Sequence, residues 1–141
     1  MAKIIYMDNR NIYNRNLKGK IDVHINNRPL LVDGAKKLHT EAQRRVCEYG
    51  NFTEVKVNIK NKSKDLKIKS FDLFIKPSIL LKERPKEREL GIKVNSLNND
   101  SCSIVLYRGE KDDILKKLQD KNFISEIEDF LKEAHNDFEM I

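Results

Sequence analysis

A chain of 141 residues, 39% hydrophobic and 35% charged, is long enough to bury about two-thirds of its unfolded surface, so the composition implies a lean core under a heavily charged surface. The net charge of +6 is unevenly shared: residues 1–93 hold 22 Lys and Arg against 11 Asp and Glu, and residues 94–141 hold 6 against 11. A basic body with an acidic end calls for an acidic partner or for docking of the two parts on each other, and the longest apolar runs, such as Ile79-Leu80-Leu81, fall far short of the roughly 20 residues that cross a bilayer.

In chain order, Lys3-Ile4-Ile5-Tyr6-Met7 predicts a short strand, and the Asn-rich stretch 8–16 a loop, because Asn and Asp bond their own backbone. Lys20 to Ile25 alternates apolar and polar residues and predicts a half-buried strand, followed by a turn at Asn26-Asn27 and a second short strand over Pro29-Leu30-Leu31-Val32. Asp33 is placed as the N-cap of a helix whose stripe is Ala35, Leu38, Ala42, Val46 and Tyr49, with Gly50 as its C-terminal stop. Opposite that stripe lie Lys36, Lys37, Thr40 and Arg44, and Glu41 is spaced to pair with Lys37 and Arg45.

The stretch EVKVNIKNKSKDLKIKSFDLFIK (54–76) predicts a β-hairpin with one apolar face and one lysine face. From Phe71 to Ile75 the strand reads as buried on both sides, and Pro77 ends it. KERPKEREL (82–90) predicts an exposed charged loop. A second hairpin is expected from Gly91 to Tyr107 around Asn98-Asn99-Asp100, then helices near 110–119 and 124–138. The acidic face of the last helix, Glu126, Asp129, Glu133 and Asp137, reads as solvated. The order of elements implies a single α+β domain over residues 1–141: a mainly antiparallel β-sheet built from hairpins, one central helix and a C-terminal helix pair.

The strongest functional lead is the lysine hairpin. Lys56, Lys60, Lys67 and Lys69 are expected to project from one sheet face, with Lys62 and Lys64 at the tip, and Lys36, Lys37 and Arg44 of the helix are candidates to join them. Clustered cations suffice to neutralise the phosphate backbone of RNA or DNA, and the reading is a non-catalytic nucleic-acid-binding accessory protein. Lysines also guard exposed strands against edge pairing. Moreover, Lys outnumbers Arg 20 to 8, as an A/T-rich coding composition would produce. The alternative function is a small stoichiometric protein-binding module, an inhibitor or immunity-type partner, and a small ribonuclease comes third.

Enzymatic readings rest on fewer residues. Glu54-Val55-Lys56 with Asp72 or Asp33 resembles the PD-(D/E)xK nuclease constellation, which implies a divalent metal held by the carboxylates and a lysine on the developing phosphate charge. The second hairpin that follows departs from that family's order of elements. His24 beside Asp22, with His39, would be the acid–base pair of a metal-independent ribonuclease. Serine or cysteine nucleophile motifs and a phosphate-cradling glycine loop are missing, so no catalytic residue, metal or cofactor is assigned. Cys47 and Cys102 form no CxxC pair, and MAKIIYMDNRN has no signal-peptide run, so reduced thiols in the cytoplasm are expected.

Overall fold

The computed structural model describes residues 3–4, 26–64, 66–79 and 82–139. The loop over 8–16 and the strand over 20–25, with Asp22 and His24, lie outside the described residues.

Strand β1 (Lys3–Ile4) is followed by helix α1 (Arg28–Tyr49), strands β2 (Val55–Lys60), β3 (Ile68–Pro77), β4 (Arg88–Ser96) and β5 (Ser101–Gly109), and helices α2 (Lys111–Leu118) and α3 (Lys121–Glu139). The five strands form one sheet in the order β1-β5-β4-β3-β2. β2 to β5 pair antiparallel, and β1 pairs parallel with β5. The expected α+β class and both hairpins are therefore present.

One face of the sheet carries Val55 and Ile59 from β2, Phe71, Leu73 and Ile75 from β3, and Leu90, Ile92 and Val94 from β4, aligned in register. These side chains form a single core cluster with Leu31, Leu38 and Ala42 of α1, Ile114 of α2, and Phe123, Ile127 and Phe130 of α3. Each fully buried Leu, Ile or Phe contributes about 1.5–3 kcal/mol. All three helices therefore lie on that face. The residues between, Lys56, Asn58 and Lys60 on β2 and Ser70, Asp72 and Phe74 on β3, turn to the opposite face.

Helix α1 begins earlier than the sequence pattern suggests. Pro29-Leu30-Leu31-Val32 is its first turn and not a strand; Pro tolerates a first turn because its missing N–H would have no intrahelical acceptor there. The stripe that starts at Ala35 extends back through Leu31, and this extra turn of burial decides the conformation. Asp33 is thus inside the helix, where it pairs with Lys37 at 3.1 Å, and Glu41 pairs with Arg44 and Arg45 and not with Lys37. Gly50 stops the helix with φ 78° as expected, and its N–H reaches Val46 O at 2.8 Å. Tyr49 falls off the stripe and is 76% exposed.

Two further expectations are corrected. Within 82–90 only the first part is exposed: Arg88, Glu89 and Leu90 are buried at the start of β4. Arg88 Nε donates to Phe52 O at 2.8 Å, and its Nη1 donates to the carbonyls of Pro85 and Glu87. Glu89 accepts from Arg108 Nε at 3.0 Å. Such partners are what let a charged run enter a sheet. The acidic face of α3 is not simply solvated either. Glu133 is buried, Glu126 pairs with Lys117 of α2, and Glu128 pairs with Arg28 of α1.

Candidate nucleic-acid interface

The six hairpin lysines begin from a common pattern and end in different places. Lys56 and Lys60 are exposed on β2, on the face away from the helices. Four residues apart along a strand, they stand about 13 Å from each other. Register then breaks: between Ile68 and Ser70 a bulge inserts Lys69, which allows Ile68 and Phe71 both to point into the core although they are three residues apart. The alternation therefore does not run unbroken into β3, and Lys67 and Lys69 are both exposed beside the bulge. Lys67 donates its backbone N–H to Nδ1 of the buried His135, which ties this end of the hairpin to α3.

The tip carries a polar latch that the sequence does not advertise. Asn27, fully buried just before α1, donates from Nδ2 to Asn61 Oδ1 at 2.6 Å and accepts the Lys62 N–H on Oδ1 at 2.9 Å. Asn61 in turn donates to the carbonyls of Ser63 and Ile68 and accepts the Ser63 N–H. Buried amides of this kind cost stability unless every group is paired, and here they hold the tip against the start of α1. In the sequence, Asn27 and Asn61 read only as turn formers; their 34-residue separation hides the contact.

The latch brings Lys62 beside the helix. A groove of about 140 Å³ between α1 and the outer edge of β2 is lined by Leu30, Val57 and Ile59 at its base and by Lys37, Lys60 and Lys62, with Asp33 the one carboxylate. Gly34 makes this approach possible: a Cβ there would stand 2.4 Å from Ile59 Cδ1. Lys37, Lys60 and Lys62 therefore border one groove, Lys60 from the face away from the helices, with Lys56 further along the same strand. Lys64 is exposed in the tip turn.

The remaining helix candidates do not join them. Arg44 is clamped between Glu41 and Glu48, at 2.6 Å from each. The hydrogen bond to Glu41 raises its guanidinium pKa further, and Arg44 followed by Arg45 hold the Glu41 carboxyl down, to about 2. Lys36 lies on another flank of α1, lining a cleft with Arg28, His39 and Lys121.

The sheet face away from the helices adds Lys76, Lys93 and Arg108 to Lys56 and Lys60, against Asp72 and Glu89. Asp72 accepts from Asn58 Nδ2 at 2.6 Å, and Glu89 is engaged by Arg108. Phe74 is the one aromatic on this face among the described residues. It is 9% exposed, with Lys76 Nζ 5.2 Å from its ring centre. It lies over Gly91, where a Cβ would meet the ring at 2.6 Å and the Ile104 carbonyl at 2.3 Å.

The nuclease constellation does not assemble. Glu54 is exposed ahead of β2, Asp72 is paired with Asn58 further along the sheet, and Asp33 is on α1. Among the described residues no three His, Cys, Asp or Glu side chains are grouped to hold a metal ion. His39 lies in the α1 cleft and His135 serves the hairpin backbone. Among the described residues no helix is long and apolar enough to cross a membrane. Comparison of the chain with protein-family models, with curated proteins and with solved structures finds no match.

Proposed function

We propose that the protein is a non-catalytic nucleic-acid-binding accessory protein that engages the phosphate backbone along the outer edge of β2. The observation that carries this reading is that Lys60 and Lys62 border one groove, continued along the strand by Lys56, with Lys37 paired to Asp33 across it and Asp33 the one carboxylate lining it among the described residues. Lys37 can exchange its weak exposed pair with Asp33 for a phosphate, so with Lys56, Lys60 and Lys62 about four phosphates are neutralised, and log K then falls with log salt at a slope of about −3.6. Because Phe74 is buried, the described residues of this face offer no platform for stacking bases, which favours backbone contacts and a duplex over sequence readout of single strands. An exposed Cys47 and a buried Cys102, not joined to each other, support the reducing environment of the cytoplasm.

The test is fluorescence anisotropy with labelled duplex RNA, duplex DNA and single strands at 50 and 200 mM salt. Binding is expected to weaken roughly 100-fold between the two concentrations. Lys60→Glu with Lys62→Glu should lower affinity at least about tenfold and halve the slope to about −1.8, whereas Arg44→Gln should leave both unchanged. Equal losses at Arg44 and at the hairpin, or no binding at low salt, would sink the reading and turn attention to a protein partner.

A further inference from the structure

On the other flank of α1 the structure contains a cleft that the hairpin does not touch. It has a volume of about 760 Å³ and lies between α1 and the joint of α2 with α3. This is the size of pockets that hold small organic ligands, about 300–1,000 Å³. Its walls are Val32 and Ala35 from α1, Leu118 at the end of α2 and Ile124 in the first turns of α3. Ala35, Leu118 and Ile124 also belong to the core cluster, so the walls are fixed by the packing of three helices and not by loops.

The polar groups around those walls include three cations, Arg28, Lys36 and Lys121, beside His39, Thr40, Gln119 and Asp120, and the charges divide into occupied and available ones. Arg28 is spent on Glu128 across to α3. Asp120, the only carboxylate lining the cleft among the described residues, pairs with Lys117 at 3.6 Å and accepts the Asn122 N–H at 2.9 Å. Lys36 and Lys121 have no ion pair among the described residues and flank the apolar walls from α1 and from α3. An apolar cavity with two such ammonium groups at its rim suits a ligand that is apolar at one end and anionic at the other.

We propose that this cleft binds an amphipathic organic anion, an alkyl or aryl carboxylate or sulfonate, with the tail against Val32, Ala35, Leu118 and Ile124 and the acid between Lys36 and Lys121. The tail supplies affinity by leaving water, and the charge sets the preference for an anion over its neutral analogue. The lining of this cleft shares no residue with the groove at the β2 edge, so the two sites are separate.

The experiment titrates the full chain with decanoate and, in parallel, with decanol below their aggregation limits, following the methyl signals of Val32, Leu118 and Ile124 by NMR. Saturable shifts confined to those methyls are expected, with decanoate binding about tenfold tighter than decanol. Lys36→Glu with Lys121→Glu, both exposed positions, should remove that preference while the melting temperature stays within a few degrees of the parent. Equal affinity for decanoate and decanol, a preference that survives in the double variant, shifts dispersed over the protein, or no saturable binding would each overturn the proposal.

Discussion

Helix α1 and the β2–β3 hairpin are both rich in cations, yet they keep different shares of that charge available. Along α1, carboxylates three or four residues from a cation lie on the same face, so Asp33 meets Lys37, Glu41 meets Arg44 and Arg45, and Glu48 meets Arg44. The helix thus pairs Lys37, Arg44 and Arg45 within its own surface and leaves Lys36 without an ion pair among the described residues. A strand's same-face neighbours are the residues two apart and those across the ladder: between Lys56 and Lys60, β2 offers Asn58, whose amide engages the facing Asp72. A cation's sequence count is thus a poor guide to field, and the secondary structure around it is a better one.

The largest test of this contrast is the latch that brings Lys62 to the groove it borders with Lys37. Asn61→Ala removes the acceptor of the buried Asn27 Nδ2 and the amide donor to the Ser63 and Ile68 carbonyls, and should cost about 3 kcal/mol by urea denaturation. If oligonucleotide affinity at a fully folded concentration of denaturant is unchanged in this variant, convergence of Lys62 on the helix is irrelevant to binding. Next comes the packing that brings α1 to β2. Gly34→Val places carbons into the space of Ile59 and Leu73 and should cost about 2 kcal/mol. A neutral result would mean that helix and strand sit further apart than described.

The smallest expected effect concerns the paired charges of the helix. Glu41 has its folded pKa near 2 against 4.5 when free, so its ion pairs stabilise the fold above about pH 4.5, and that contribution fades as pH falls toward 2. Because the group is exposed, solvent screens most of it. Glu41→Gln should therefore slightly flatten the fall in melting temperature between pH 4.5 and 2, and a flat difference curve would show that the clamp on Arg44 does not persist in solution. Lys56→Gln, with no carboxylate beside it on the strand, should change the melting temperature at no pH in that range.

The class of fold was legible because its signals are local. Alternation at 55–60, helical spacing at 35–46 and in the last two helices, the turn at 98–100 and the stop at Gly50 all follow from periodicity and backbone preference in short windows. Where the sequence misled, a non-local term won. Pro29 to Val32 looked extended until burial of Leu31 under the sheet recruited it into α1, and Arg88 to Leu90 looked like exposed loop until backbone carbonyls and Arg108 supplied partners for two buried charges.

The candidate site was legible as a set of residue types and not as a place. By itself the sequence determined that lysines would alternate with buried residues on β2, since side chains on a strand must point to opposite faces. Only the tertiary structure decided which of them stand together. The bulge at Lys69, the amide latch from Asn27 to Asn61 and the close approach at Gly34 each depend on groups distant in the chain, and they bring Lys37, Lys60 and Lys62 to the border of one groove while Arg44 is bound by its own helix. Local periodicity fixes which way a side chain faces, whereas distance between side chains of different elements is set by packing, which no short window of sequence contains.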